Sequence, residues 1–229
     1  LVGDFDPAAL RGQLEAQLGT WTAQHPWTRI PVPLGTPRQG PQVLHTPDKA
    51  MAFLGTALGL PLRDTHPDHP ALLMANQLVG GGFMQGRLPA RLREREGLSY
   101  AVGTFYNANP HDDAAAWMGF ATFAPDNATR VLQGFREEIS RAVEGGFSPA
   151  EFQRARDGLL QERTTARAQG AWVADSLASG LAVDRTFAHE AALDAALRAL
   201  TVDQVNAALK RHVDPTRLLY LQAGNLLIQ

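Results

Sequence analysis

Two alternating runs constrain this chain most strongly. From Ser99 to Asn107, the residues Tyr100, Val102, Thr104 and Tyr106 alternate with Ala101, Gly103 and Phe105. From Ala114 to Phe123, the residues Trp117, Gly119, Ala121 and Phe123 share one side. A period of two marks a strand with one face buried. The stretch Asn107-Ala108-Asn109-Pro110-His111-Asp112 between them has the composition of a turn, so the two runs predict a hairpin. The chain beyond the hairpin is mainly helical. Ala128, Val131, Leu132, Phe135, Ile139, Ala142 and Val143 recur at i, i+3, i+4 until Gly145-Gly146. Ser148-Pro149-Ala150-Glu151 is a capping box with proline at the first helical position, and Phe147 and Phe152 stand at its staple positions. Thr201-Val202-Asp203-Gln204 repeats the device, with Leu200 and Val205 as staple. Helices are expected over 171–185 and 188–199, and a closing strand from Arg217 to Ala223.

Upstream of the hairpin, Ala50 to Gly55 reads as a short buried strand and Pro70 to Val79 as a helix. Leu72, Leu73, Asn76 and Val79 line one face of that helix, and Gly80-Gly81-Gly82 stops it. A second helix runs from about Arg87 to Glu96, with Pro89 in its first turn and Gly97 at its end. The order is strand, helices, hairpin, helices, strand. It predicts an α+β fold with a largely antiparallel sheet and helices packed on one face. Residues 43–229 form this domain. Residues 1–23 form a separate unit: Leu1 to Asp6 as a strand end and cap, then a helix carrying Ala8, Leu10, Leu14, Leu18 and Trp21. Residues 24–42 hold Pro26, Pro31, Pro33, Pro37 and Pro41 with Gly35 and Gly40, and read as an extended linker.

Composition excludes several function classes. The chain is 45% hydrophobic and 19% charged, an ordinary globular balance. Twenty-one basic residues meet 23 acidic ones, which argues against nucleic acid as partner, since polyanion binders need a basic excess. There is no cysteine, so no disulfide and no thiolate ligand or nucleophile. No apolar run is long enough for a membrane span. The start, Leu1-Val2-Gly3-Asp4, has neither a methionine nor a basic leader and is taken as a cut within a longer protein.

Candidate chemistry is sparse. His66 and His69 stand three apart, but Pro67 and Pro70 oppose a regular helix between them, so they read as a polar loop. His189-Glu190 begins H-E-x-x-H, but Leu193 stands where the second histidine belongs; neither H-E-x-x-H nor H-x-x-E-H occurs, and no metal site is expected. Ser99 has no evident base. Gly80, Gly81 and Gly82 read either as a helix stop or as backbone that another chain must approach closely. Arg87, Arg91 and Arg95 stand four apart and are expected to be a solvated face. Arg93 lies off that stripe near the helix end, and Tyr100 is the second residue of the strand it feeds. A guanidinium and a phenol there would be two donors aimed at carbonyl or carboxylate oxygens. The alternative is a surface arginine and a strand tyrosine half in the core.

Leu78-Val79-Gly80-Gly81-Gly82, Gly86-Arg87-Leu88 and Leu92-Arg93-Glu94-x-x-Gly97-Leu98-x-Tyr100 together resemble the second-half signature of the pitrilysin (M16) metallopeptidases. Pro89 and Phe83-Met84-Gln85 depart from the usual pattern without removing a working group. The start, Val2 to Trp21, resembles the close of the preceding half-domain. The resemblance implies the LuxS/MPP-like metallohydrolase fold, in paired domains enclosing a chamber. It implies no cofactor in this chain and zinc on an H-x-x-E-H half, in the same chain or on a partner subunit. It implies that Arg93 and Tyr100 reach that zinc site, bind a peptide substrate with Gly80, Gly81 and Gly82, and assist hydrolysis. The alternative on the same fold is a non-catalytic scaffold or assembly protein. For compartment, the family points to a bacterial periplasm or envelope.

Overall fold

The computed structural model describes residues 1–35, 42–82 and 86–226. Among the described residues five strands form one sheet: β1 (Gln42–His45), β2 (Ala52–Leu60), β3 (Ser99–Asn107), β4 (Ala115–Phe123) and β5 (Leu219–Gly224). Their order is β1-β5-β2-β4-β3. Only the β1–β5 pair is parallel; the β5–β2, β2–β4 and β4–β3 pairs are antiparallel. The expected α+β class and largely antiparallel sheet are therefore correct.

Strand β2 lies at the centre. It begins two residues after the expected start and runs on to Leu60. Ala52, Leu54, Thr56, Leu58 and Leu60 face inward, while Phe53, Gly55, Ala57 and Gly59 face out. The glycines hide the alternation, because their side of the sheet carries little apolar bulk. Strand β1 is not among the expected elements. It is four residues long and exists by pairing with β5, which no local pattern announces.

Helices cover the inner face: α2 (His69–Asn76), α3 (Ala128–Gly145), α4 (Pro149–Arg167), α6 (Phe187–Ala199) and α7 (Val202–His212), with α5 (Gly170–Leu181) lying against α4 and burying no residue of its own. Phe123, Phe135, Ile139, Leu54 and Leu209 meet in one core. Both expected capping boxes form, with Ser148 Oγ accepting from the Glu151 amide and Thr201 Oγ1 from that of Gln204. Phe147 and Phe152 are buried at their staple positions. These starts are legible because a cap is a contact between residues three apart. Asn76, the polar exception on α2, is buried; its Oδ1 accepts a hydrogen bond of 3.0 Å from Trp117 Nε1.

The first 23 residues behave partly as expected. Helix α1 (Pro7–Leu18) is capped by Asp6, whose carboxylate accepts from the amides of Ala8 and Ala9. No residue of α1 is buried, and Leu14, Leu18 and Trp21 stand exposed. Residues 1–6 form no strand: a strand needs a neighbour, and nothing in this sheet pairs with them. Residues 24–35 are extended and without regular structure, but fastened. Arg29 makes a two-pronged pair with Asp112 at 2.6 and 2.9 Å, and the Val32 amide donates to the same carboxylate. Leu34 then lies against Gly59 on the outer face of the sheet. Pro37, Gly40 and Pro41 lie outside the described residues, as do Phe83, Met84 and Gln85.

Candidate functional site

Arg93 sits on a short helical segment, Pro89–Arg95, wound more loosely than an α-helix. The Glu96 amide donates to the Arg91 carbonyl five residues back, which is π-helical bonding. Such turns recur at functional sites because they push one residue out of the regular spiral. Gly97 then adopts φ +60°, a left-handed conformation that glycine accepts without strain. The Leu98 amide donates to the Leu92 carbonyl at 2.8 Å, so the root of β3 is tied to the turn that carries Arg93. Leu88 and Leu92 anchor the segment in the core. Arg93 is partly buried.

Tyr100 does not follow the expected alternation. Ser99 pairs with Phe123 and Ala101 with Thr122, which leaves Tyr100 as an extra residue opposite no partner. This is a β-bulge, the device by which a strand re-aims one side chain. Val102, Thr104 and Tyr106 turn inward as expected, whereas Tyr100 is 77% exposed. It is a phenol presented to solvent at the rim of the sheet, not a tyrosine half in the core.

The glycines divide. Gly80 and Gly82 are buried and Gly81 is exposed. A Cβ on Gly80 would lie 3.0 Å from the Thr104 amide nitrogen, and one on Gly86 would lie 2.7 Å from the Gly80 Cα. The close approach demanded of Gly80 is thus made within the chain, against β3. Of the three, only Gly81 presents its backbone to the surface.

The arginine stripe is not solvated. Arg87 grips Glu151 at 2.9 and 3.2 Å, donates to the Gly146 carbonyl and stacks 4.5 Å over Phe147. Arg91 binds Glu96, Glu137 and the Gly134 carbonyl, and comes within 3.5 Å of the buried Glu138. Only Arg95 is exposed. The segment lies between β3 and α3, and Arg87 just before it reaches α4, so Arg87 and Arg91 staple it in place and fix where Arg93 stands. Arg87, followed by the Ser148 amide and hydroxyl, holds the Glu151 pKa at about 2, against an ordinary 4.5 and against partial burial. A depressed carboxylate stabilises fully above its unfolded pKa and loses that contribution as pH falls toward the folded value. Acid titration is therefore expected to erode wild-type stability between about pH 4.5 and 2, and Glu151→Gln to flatten that part of the curve. Parallel curves would contradict the pair's role.

Two histidine clusters lie apart from this rim. His66, Asp68 and His212 bring three potential ligand atoms within 4.8 Å of one another. The set does not suit a metal ion. Asp68 is already held by Arg211 and by His212 Nε2, and His66 Nδ1 accepts from the Asp68 amide. A cation there would share its carboxylate with a guanidinium. His69, expected beside His66 in a loop, instead opens α2 and lies 3.2 Å from the Tyr106 hydroxyl. Burial pushes the His69 pKa down and that of Tyr106 up. Ser99, considered in the sequence only as a nucleophile, has its hydroxyl 2.8 Å from two backbone carbonyls, Ala101 and Thr122. That contact is not legible in sequence, because it spans two strands.

Known proteins bear on this rim. A family model described as the peptidase M16 inactive domain matches residues 1–159, which contain the glycines, Arg93 and Tyr100. The chain belongs to this family. An uncharacterized zinc protease of Rickettsia bellii (strain RML369-C) is 30% identical over 106 residues, 46% of this chain and 25% of that protein. The crystal structure of a peptidase M16 inactive domain from Pseudomonas fluorescens superposes with a TM-score of 0.80 at 22% identity, over 99% of this chain and 53% of that one. A protease from Helicobacter pylori gives 0.78 at 15% identity, over 97% and 54%. At these identities the two structures establish the shared fold. This M16 chain spans about half the length of each of these two, and its match to the Rickettsia protein covers a quarter of that protein. Among the described residues, no helix is long and apolar enough to cross a membrane.

Proposed function

We propose that this chain is the non-zinc half of an M16-type zinc metallopeptidase and binds peptide for hydrolysis at a metal held elsewhere. The observation that carries the reading is Tyr100, lifted out of the sheet by a bulge within the run Leu92-Arg93-Glu94-x-x-Gly97-Leu98-x-Tyr100. Tyr100 lies on the edge strand β3, and the turn that carries Arg93 packs against that strand, which supports a shared role for the two. Residues 1–23 are the tail end of the preceding half, whose surface would cover Leu14, Leu18 and Trp21. Residues 24–42 are the linker between halves.

In this scheme a zinc ion held by an H-x-x-E-H half supplies Lewis-acid and water-activating chemistry. This chain supplies donors. The Tyr100 hydroxyl donates to the carbonyl oxygen that gains negative charge, and the Arg93 guanidinium donates to a backbone carbonyl of the substrate. Gly81, whose missing side chain makes way for Asn76, offers its exposed backbone for the substrate to lie against.

The test is complementation. The pure chain is expected to cleave no peptide, and the chain combined with its zinc half to show chelator-sensitive cleavage. Chelator-sensitive hydrolysis by the pure chain would overturn the reading. A stable assembly of both halves that never cleaves peptide is the outcome of the scaffold alternative.

A further inference from the structure

We infer that Ser99 is a positioning residue for Tyr100, acting as the clasp that holds the β-bulge open. This deepens the proposed function and rests on it. A bulge interrupts the ladder and leaves one residue without a cross-strand partner, so it needs local support to persist. Ser99 supplies it. Its hydroxyl stands 2.8 Å from the Ala101 carbonyl, on the far side of the bulged residue, and 2.8 Å from the Thr122 carbonyl on β4. The hydroxyl has one proton, shared between these two acceptors, so one side chain links both sides of the irregularity. Ser99 is buried, so water is not a ready substitute.

The register explains what the clasp prevents. Ser99 pairs with Phe123, Val102 with Ala121 and Thr104 with Gly119, and all three residues of β3 face the core. Ser99 and Val102 stand three apart, an odd spacing that regular pleating cannot put on one face. The bulge absorbs the extra residue, and that residue is Tyr100. In a regular ladder, by contrast, Tyr100 would lie opposite Thr122 and Ala101 would move to the inner face. From below, the Leu98 amide is tied to the Leu92 carbonyl, and the Leu98 carbonyl accepts from Asn127 Nδ2 at 3.4 Å. The strand is therefore fixed just before Ser99, and the aim of Tyr100 depends on the hydroxyl proton that Ser99 shares across the bulge. A hydroxyl at this position serves geometry, with no base within reach to make it a nucleophile among its hydrogen-bond partners.

The experiment uses the complete two-half enzyme with a fluorogenic peptide, and variants Ser99→Val, Ser99→Thr, Tyr100→Phe and the Val/Phe double. Ser99→Val is expected to lower kcat roughly 5- to 10-fold, the scale of one lost hydrogen bond, with KM changed less than about twofold. Ser99→Thr keeps the hydroxyl and is expected to stay within about twofold of wild type. In the Tyr100→Phe background, Ser99→Val is expected to cost nothing further, because it acts through the phenol. An equal loss in both backgrounds, or a wild-type kcat in Ser99→Val, would overturn the inference. A crystal structure of Ser99→Val gives a readout independent of activity: Tyr100 is expected to leave its position, and an unchanged bulge refutes the clasp. If Tyr100→Phe is fully active while Ser99→Val still displaces Tyr100, the clasp stands and the catalytic role of Tyr100 falls. If Ser99→Val does not fold, Ser99→Ala takes its place with the same criteria.

Discussion

Gly86→Ala is expected to destabilise the fold by about 2–4 kcal/mol, the range of a forced backbone shift in a packed interior. The added Cβ would fall 2.7 Å from the Gly80 Cα, 2.9 Å from the Gly80 nitrogen and 3.0 Å from the Val79 carbonyl oxygen. All three are backbone atoms, so no rotamer change relieves the contact. Gly80 cannot retreat, because it lies against the Thr104 amide and the Gly103 carbonyl carbon. The strain must pass into β3, two elements away from the substitution. Gly97→Ala is the control: it places a side chain at φ +60° in open space, and the cost is the left-handed conformation alone, roughly 1–2 kcal/mol. Urea denaturation of both variants separates the two causes. Equal losses would mean that the Gly80–Gly86 approach carries no special weight.

That contact also shows where sequence patterns stop. The glycines announce a helix stop correctly, yet the need for glycine at Gly80 and Gly86 arises from two backbones meeting, which no local pattern encodes. The caps at Ser148 and Thr201, the outline of the hairpin and the inward residues of β4 are all legible, since each depends on neighbours a few residues away. Strand β1, the inward pairing of Arg87 and Arg91, and the union of His66 with His212 are not, since each depends on a partner distant in sequence. At the candidate site the motif marks Arg93 and Tyr100, but the alternation puts Tyr100 on the wrong side. A bulge is a mismatch between two strands, and one strand read alone cannot display it.

The bulge gives the site its energetic logic. A tyrosine exposed to this degree contributes little burial, and holding it at an irregular register costs ladder bonding. Arg87 and Arg91 engage four acidic partners in stapling a segment of seven residues. Structural order is concentrated in the turn before β3 and in the bulge that presents Tyr100. Rigid support behind an exposed donor is what electrostatic catalysis requires, since donors fixed in advance need no reorganisation when charge develops.

Arg93→Ala and Tyr100→Phe are accordingly expected to lower turnover by about 10²-fold each in the complete two-half enzyme, the scale of one removed oxyanion donor. Tyr100→Phe removes only a hydroxyl from an exposed ring, so thermal stability is expected to stay unchanged. Its loss should fall on kcat with KM nearly constant, because a donor to a developing charge binds the transition state better than the substrate. Arg93→Ala is expected to raise KM as well, because in the proposed scheme its guanidinium donates to a backbone group present in the ground state. Arg93→Lys keeps the charge but loses the planar fork, and is expected to recover binding more than rate. The double variant distinguishes separate from joint action. Losses that multiply mean two independent donors, and a double no worse than either single means one jointly held oxygen. Wild-type turnover in both single variants would remove the pair from the chemistry and leave the inactive domain as a scaffold.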